Sequence, residues 1–191
     1  MILKTFDAVT AMRDEGRTLI GGFHSPMEWE CLGILLRGRQ PVIWVPARSI
    51  GGMHLKPQLQ PAFAAGRLLI LSPFEPKHKR IMVALADARN RFVGALADRV
   101  FIAHAAPASR TLALAEALRD CEKPLLTVDD PANEILLEFA AKVRVGTECD
   151  WPPVSAPRAS WASSSLSTCD ALGGNWGNSG VHVWVNSGKD G

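Results

Sequence analysis

Five segments of the chain, Thr18-Leu19-Ile20-Gly21-Gly22, Pro41-Val42-Ile43-Trp44-Val45, Arg67-Leu68-Leu69-Ile70-Leu71, Arg99-Val100-Phe101-Ile102-Ala103 and Pro124-Leu125-Leu126-Thr127-Val128, are apolar almost throughout instead of alternating with polar residues. A strand wetted on one face alternates, whereas a strand covered on both faces has no need to. Between these runs apolar residues recur at helical spacing. Phe6, Val9 and Met12 mark a helix near 5–15, and Met27, Cys31, Ile34 and Leu35 mark another near 26–37. Further helices are expected near 57–65, over 77–97 as one long helix or a pair, at 110–120 and at 131–141, with a short edge strand at 142–145. Repeated strand–helix units with short connections imply an α/β fold: a Rossmann-like, doubly wound, mostly parallel sheet with helices on both faces.

That unit is expected to occupy residues 1–145. From 146 the periodicity stops, and segments such as Trp151-Pro152-Pro153 and Gly173-Gly174-Asn175-Trp176-Gly177 take its place. Residues 146–191 read as a low-complexity tail rich in Ser, Gly and Trp, expected to be disordered. Its one strand-like run is Val181-His182-Val183-Trp184-Val185. Charge divides at the same boundary: residues 1–145 hold 19 Lys/Arg against 15 Asp/Glu, and 146–191 hold 2 against 4. The surplus of four permits nucleic-acid binding without demanding it. An acidic tail is a poor base-stacking platform, because such platforms carry cations.

Several classes are disfavoured. No apolar run approaches the length of a membrane span, and Met1-Ile2-Leu3-Lys4-Thr5-Phe6-Asp7 lacks a signal-peptide core, so no membrane is expected and a cytoplasmic location is the default. Cys31, Cys121, Cys149 and Cys169 form no Cys-x-x-Cys pair, and His24, His54, His78, His104 and His182 show no metal-ligand spacing; neither metal nor cofactor is expected. Gly-x-Ser-x-Gly, Walker A and kinase signatures are absent.

Ligands of open α/β sheets bind beyond the C-terminal strand ends. The first such turn, Gly21-Gly22-Phe23-His24-Ser25-Pro26-Met27-Glu28, carries a helix start in which Ser25 is the N-cap, Pro26 the first helical residue and Glu28 the capping-box partner. The glycine pair allows close backbone approach, and the helix N-terminus suits a phosphate unless Glu28 already uses its positive end. A second turn, His104-Ala105-Ala106-Pro107-Ala108-Ser109-Arg110-Thr111, has Ser109 as N-cap. Arg110 in a first helical turn opposes the dipole, and such a misfit marks a candidate anion site. Lys77, Lys79 and Arg80 read as a solvated helix face. Arg89 and Arg91 precede an apolar segment leading straight into a strand and are set apart from them.

Together these segments resemble the Rossmann-like domain of the DNA-processing protein A family (DprA, or Smf), from Leu19 to about Leu137. The residues that carry the likeness are Leu19-Ile20-Gly21-Gly22-Phe23-His24-Ser25, then Arg89-Asn90-Arg91 with the following Phe92-Val93-Gly94-Ala95-Leu96-Ala97-Asp98-Arg99-Val100-Phe101-Ile102, and then Pro107-Ala108-Ser109-Arg110-Thr111 leading to Glu122-Lys123-Pro124-Leu125-Leu126-Thr127-Val128. Arg-Asn-Arg is the most specific element. The resemblance implies a relative of the LOG phosphoribohydrolases and of the DprA-type proteins, which bind single-stranded DNA, help load the RecA recombinase and are binding proteins, not established enzymes. The chain departs from that pattern in five ways. Phe23-His24-Ser25-Pro26-Met27-Glu28 replaces the family's Arg-Gly-Ile-Asp. The strand and turn that usually precede the first helix are missing, as is a winged-helix tail. Ala108 stands where glycine is common, and the LOG signature is absent.

The expected function is therefore binding of single-stranded DNA, or its phosphate backbone, in DNA processing or recombination. The residues expected to carry it are Gly21, Gly22, His24, Ser25, Arg48, Arg89, Asn90, Arg91, Ser109, Arg110 and Thr111. A RecA-type recombinase is an implied partner, and a homodimer is left open. The alternative is a nucleotide sensor or phosphoribohydrolase-like enzyme in the same crevice, with His24 or Glu28 as its catalytic group. No catalytic residue is assigned under the first reading.

Overall fold

The computed structural model describes residues 1–143 and the backbone of 181–185. The elements run α1 (Ile2–Asp14), β1 (Thr18–Gly21), α2 (Pro26–Leu36), β2 (Val42–Trp44), a 3-10 turn (Pro57–Leu59) continuing into α3 (Gln60–Ala64), and β3 (Leu68–Ile70). Then follow α4 (Val83–Leu96), β4 (Arg99–Ile102), α5 (Arg110–Asp120), β5 (Leu125–Val128), a 3-10 turn (Pro131–Asn133) continuing into α6 (Glu134–Leu137), β6 (Ala141–Val143) and β7 (Val181–Val185). The strands form one sheet in the order β3-β2-β1-β7-β4-β5-β6, with every pairing parallel.

Two apolar layers flank the sheet. On one face Ala8, Val9 and Met12 of α1 and Cys31, Leu32 and Leu35 of α2 pack with Leu19, Phe101 and Leu126. On the other, Val93 of α4 and Leu112, Ala115 and Leu118 of α5 pack with Ile20, Val100, Ile102 and Leu125. Neighbouring residues Leu19 and Ile20 thus serve opposite layers, and all four residues of β1, β4 and β5 are buried. This two-sided burial is why those runs are continuously apolar. Gly94 lets α4 approach α5: a β-carbon there would meet Leu118 Cδ2 at 3.0 Å.

Cations cap the helix ends that feed the strands. Lys123 Nζ donates to the carbonyls of Ala95 (3.0 Å) and Ala97 (2.6 Å), closing the C-terminus of α4. Arg67 does the same for α2, Nη1 donating to the Gly38 carbonyl at 2.7 Å. Both satisfy carbonyls that a helix end leaves open and complement its negative pole. Burial depresses the Lys123 pKa, opposed by Asp98 and Cys121.

The structure differs from the sequence expectations in three places. Residues 71–82 form a loop, not the first part of a helix, so α4 begins only at Val83. The His78 carbonyl, which a helix would pair with Met82 N, instead accepts from Ser49 N at 2.8 Å. The helix expected over 131–141 shrinks to the 3-10 turn and α6, because Ala141 already pairs with Leu126 in the sheet. Within the span expected to be a disordered tail, 181–185 is a strand, and it is central: β7 lies between β1 and β4. The rest of that tail lies outside the described residues.

Candidate functional site

All strands end on one edge, and the turns that leave it are 22–25, 45–56, 71–82, 103–109 and 129–133. The turn after β1 is built around its two glycines. Their carbonyls are both engaged, Gly21 accepting from Val45 N at 2.8 Å and Gly22 from Trp44 Nε1 at 2.9 Å. A β-carbon on Gly21 would meet the Phe23 ring at 3.1 Å, and one on Gly22 would land on the Arg89 guanidinium. The close approach that glycine permits here is filled by the protein's own side chains. Phe23 holds a left-handed backbone, φ 43°. That conformation costs about 1–2 kcal/mol for an L-residue. Its ring is buried, which returns about 1.5–3 kcal/mol and decides the balance.

The helix that follows is capped as the sequence predicts. Ser25 Oγ accepts from Glu28 N at 3.3 Å, while Glu28 Oε2 accepts from Ser25 N at 2.7 Å and His24 N at 2.9 Å. Glu28 is buried and His24 exposed. The carboxylate thus occupies amides of this turn that a phosphate would need, and the local positive end is largely spent. Glu28 in the same way is committed to two amides, a poor starting point for a general base.

Arg89 is only 4% exposed. Nη1 donates to the Val45 carbonyl at 3.0 Å, and Nε has no hydrogen-bond partner. Burial lowers its pKa, and the charge of Glu28 works in the opposite direction. An arginine remains ionised even so. No carboxylate among the described residues makes an ion pair with it. The buried Glu28 carboxylate, whose charge acts on Arg89, partly offsets this cation within the turn.

The Arg-Asn-Arg segment lies inside α4, where consecutive residues turn by about 100°. Arg89 and Arg91 therefore diverge. Arg89 enters the β1 turn, whereas Asn90 and Arg91 line a groove between α4 and α5 together with Asp87, Arg110, Ala113, Leu114 and Ala117. The groove has a volume of about 140 Å³. Arg91 and Arg110 are both exposed and, among the described residues, neither makes an ion pair. Ser109 caps α5, its Oγ accepting from Leu112 N at 3.1 Å, and Thr111 is buried.

The expected residues thus fall into two groups. Gly21, Gly22, His24, Ser25 and Arg89 shape one turn, while Asn90, Arg91 and Arg110 share the groove, with Ser109 and Thr111 at its head. Arg48 stands apart on the 45–56 loop. That loop is laced to the 71–82 loop by Ser49 N donating to the His78 carbonyl and Ser72 Oγ donating to the Arg48 carbonyl, each at 2.8 Å. This lacing brings exposed Lys77, Lys79 and Arg80 to the same sheet edge, although the sequence suggested a solvated helix face. No local signal marked this, because Pro73 and Pro76 precede the expected helix and restrict only Ser72 and Glu75. His104 is tied to the core, with Nδ1 2.9 Å from Oδ1 of the fully buried Asn133, which itself donates to the Ala103 carbonyl at 2.8 Å. Among the described residues no group of three or more His, Cys, Asp or Glu could hold a metal ion, and no helix is long and apolar enough to cross a membrane.

Solved structures that share this architecture include two DprA proteins. DNA processing protein A (DprA) from Helicobacter pylori, whose structure concerns its single-stranded DNA binding mode, matches with a TM-score of 0.58 over 74% of this chain and 67% of its own, at 20% identity. DprA from Streptococcus pneumoniae matches with a TM-score of 0.60 over 76% of this chain, at 16% identity. The fold is that of the DprA Rossmann-like domain. The chain spans 53%, about half, of the S. pneumoniae protein. No family model matches the sequence, and no curated protein matches it. Against the DprA pattern one departure acquires a structural meaning: Ala108, where glycine is common, holds φ 57°.

Proposed function

We propose that the protein binds single-stranded DNA through its phosphate backbone, along the α4–α5 groove and the neighbouring basic loops, and acts in DNA processing or recombination with a RecA-type recombinase. The observation that carries this reading is the pair Arg91 and Arg110, brought from two helices to one groove beside Asn90 with no ion-pair partner among the described residues. Exposed Lys79 and Arg80 add to the positive field, whereas Lys77 is paired with Glu75 at 2.9 Å. The H. pylori protein of the same fold binds single-stranded DNA. Two guanidiniums on a shallow groove suit successive phosphates of a flexible strand, which fix position and carry no sequence information.

Fluorescence anisotropy with a labelled oligonucleotide tests it. Affinity should fall with rising salt, with a slope of about −0.7 per neutralised phosphate. No binding at low salt rejects the reading. If nucleotides raise the Tm while the oligonucleotide does not bind, the site belongs to a small ligand instead.

A further inference from the structure

In a doubly wound sheet, chain order and sheet order are related through crossover helices. Here one strand breaks that relation. β7 comes last in the chain yet sits at the centre, pairing with β1 from Thr18↔Val181 to Gly21↔Trp184 and with β4 from Arg99↔His182 to Ile102↔Val185. α1, which runs into β1, lies on the same face as α2. That is where a helix crossing from β7 to β1 would run, so the unit β7–α1–β1 is complete in space but not consecutive in sequence.

We propose that the space between β1 and β4 is a strand-acceptor surface whose occupant is the 181–185 segment of this same chain, and that seating this strand assembles the candidate site. Three observations carry it. β1 and β4 do not pair with one another; each takes β7 as its neighbour, so without it two fully buried strands would face each other across a gap about two strand spacings (about 9.6 Å) wide, with their inner backbone groups unpaired. Second, α4 packs against both β7 and β1. Removing β7 takes away half the floor of the helix that delivers Arg89 to Gly22 and Arg91 to the groove. Third, the occupant is tethered. β6 and β7 are three strand positions apart, about 14 Å, while 37 residues join them. A connection that long spans the distance easily and holds the segment at an effective concentration of about millimolar, which favours insertion within the chain over capture from a second copy.

Hydrogen exchange on the unaltered full chain is the primary test. The amides of 181–185 should exchange with protection within about tenfold of 18–21 and 99–102, as members of one cooperative unit. Fast exchange at 181–185 with 18–21 and 99–102 still protected overturns the proposal. Val183→Pro in the full chain removes a ladder donor from a central strand. It should lower protection of 18–21 and 99–102 by about 100-fold or more. A peptide of residues 179–187, added in excess, should restore that protection. Unchanged protection in the Val183→Pro protein, or no rescue by the peptide, counts against an acceptor slot. These readouts involve no ligand, so they stand or fall separately from DNA binding. If exchange behaves as expected and the oligonucleotide fails to bind, only the functional reading is lost.

Discussion

The guanidinium of Arg89 occupies the volume that a β-carbon on Gly22 would need. One residue opens a strand-to-helix turn and the other lies 67 positions later on a helix. The absence of a side chain at the first creates the seat for the second. Coupling of this kind has measurable consequences.

Gly22→Ala should destabilise the protein by about 1–3 kcal/mol, the usual cost of overpacking a filled site. Arg89→Ala empties the seat, so the double substitution should cost less than the sum of the two. Urea unfolding of the four proteins measures the coupling. Additivity within about 0.5 kcal/mol would mean that the two residues do not touch.

Arg91→Ala and Arg110→Ala should each weaken oligonucleotide binding and reduce the salt slope by about 0.7. Both side chains are exposed, so the Tm should barely move. Arg89→Ala differs, because its buried donor would leave the Val45 carbonyl unsatisfied. A loss of binding by Arg91→Ala accompanied by an equal loss of stability would contradict this division of roles.

Ala108 pays for a left-handed backbone without the freedom of glycine. Ala108→Gly should raise stability by about 0.5–1 kcal/mol, the relief of strain exceeding the extra entropy of the unfolded chain. Thermal unfolding that shows a lower Tm would refute the strained conformation.

Asp130 accepts from the N-terminal amino group at 2.7 Å and from Ala132 N at 3.1 Å, and these hold its carboxyl below the ordinary 3.8, with Lys4 adding to the effect. A carboxyl depressed in the folded state contributes stability above its unfolded pKa and loses it as pH falls through the folded value. The contribution is therefore complete above about pH 5 and fades below pH 3.8. Asp130→Asn keeps a capping side chain but should flatten the acid limb of the urea midpoint against pH; an unchanged limb would exclude the pairing.

Cys31 is buried, and that burial, reinforced by Glu28 and Glu30, pushes its thiol up to about 12. Cys121 is exposed. Alkylation of the native protein at neutral pH, mapped by mass spectrometry, should modify Cys121 and spare Cys31 until the chain unfolds.

Much of the fold was legible because burial on both faces writes itself into composition. The runs at 18–22, 99–103 and 124–128 could be nothing but covered strands, and Ser25-Pro26-Met27-Glu28 announced its own cap. The loop that carries Lys77, Lys79 and Arg80 was not legible, because basic residues in a row of polar positions resemble a helix face and the loop is held by Ser49, distant in the chain. The site was harder to read. Arg89, Asn90 and Arg91 are one motif on paper, and only the helical turn between them separates a buried guanidinium from a groove-lining one.

Local chemistry in the sequence determined most of the strands and helices, where two helices start and which cations lie near strand ends, since propensity, capping and apolar periodicity act over a few residues. Tertiary structure alone decided that Gly22 makes room for Arg89 and not for a ligand, that Arg91 meets Arg110, and that a five-residue run at 181–185 forms the centre of the sheet. Those are contacts between residues far apart in the chain, and their free energy depends on which backbone groups and volumes are left unfilled once the other elements have packed.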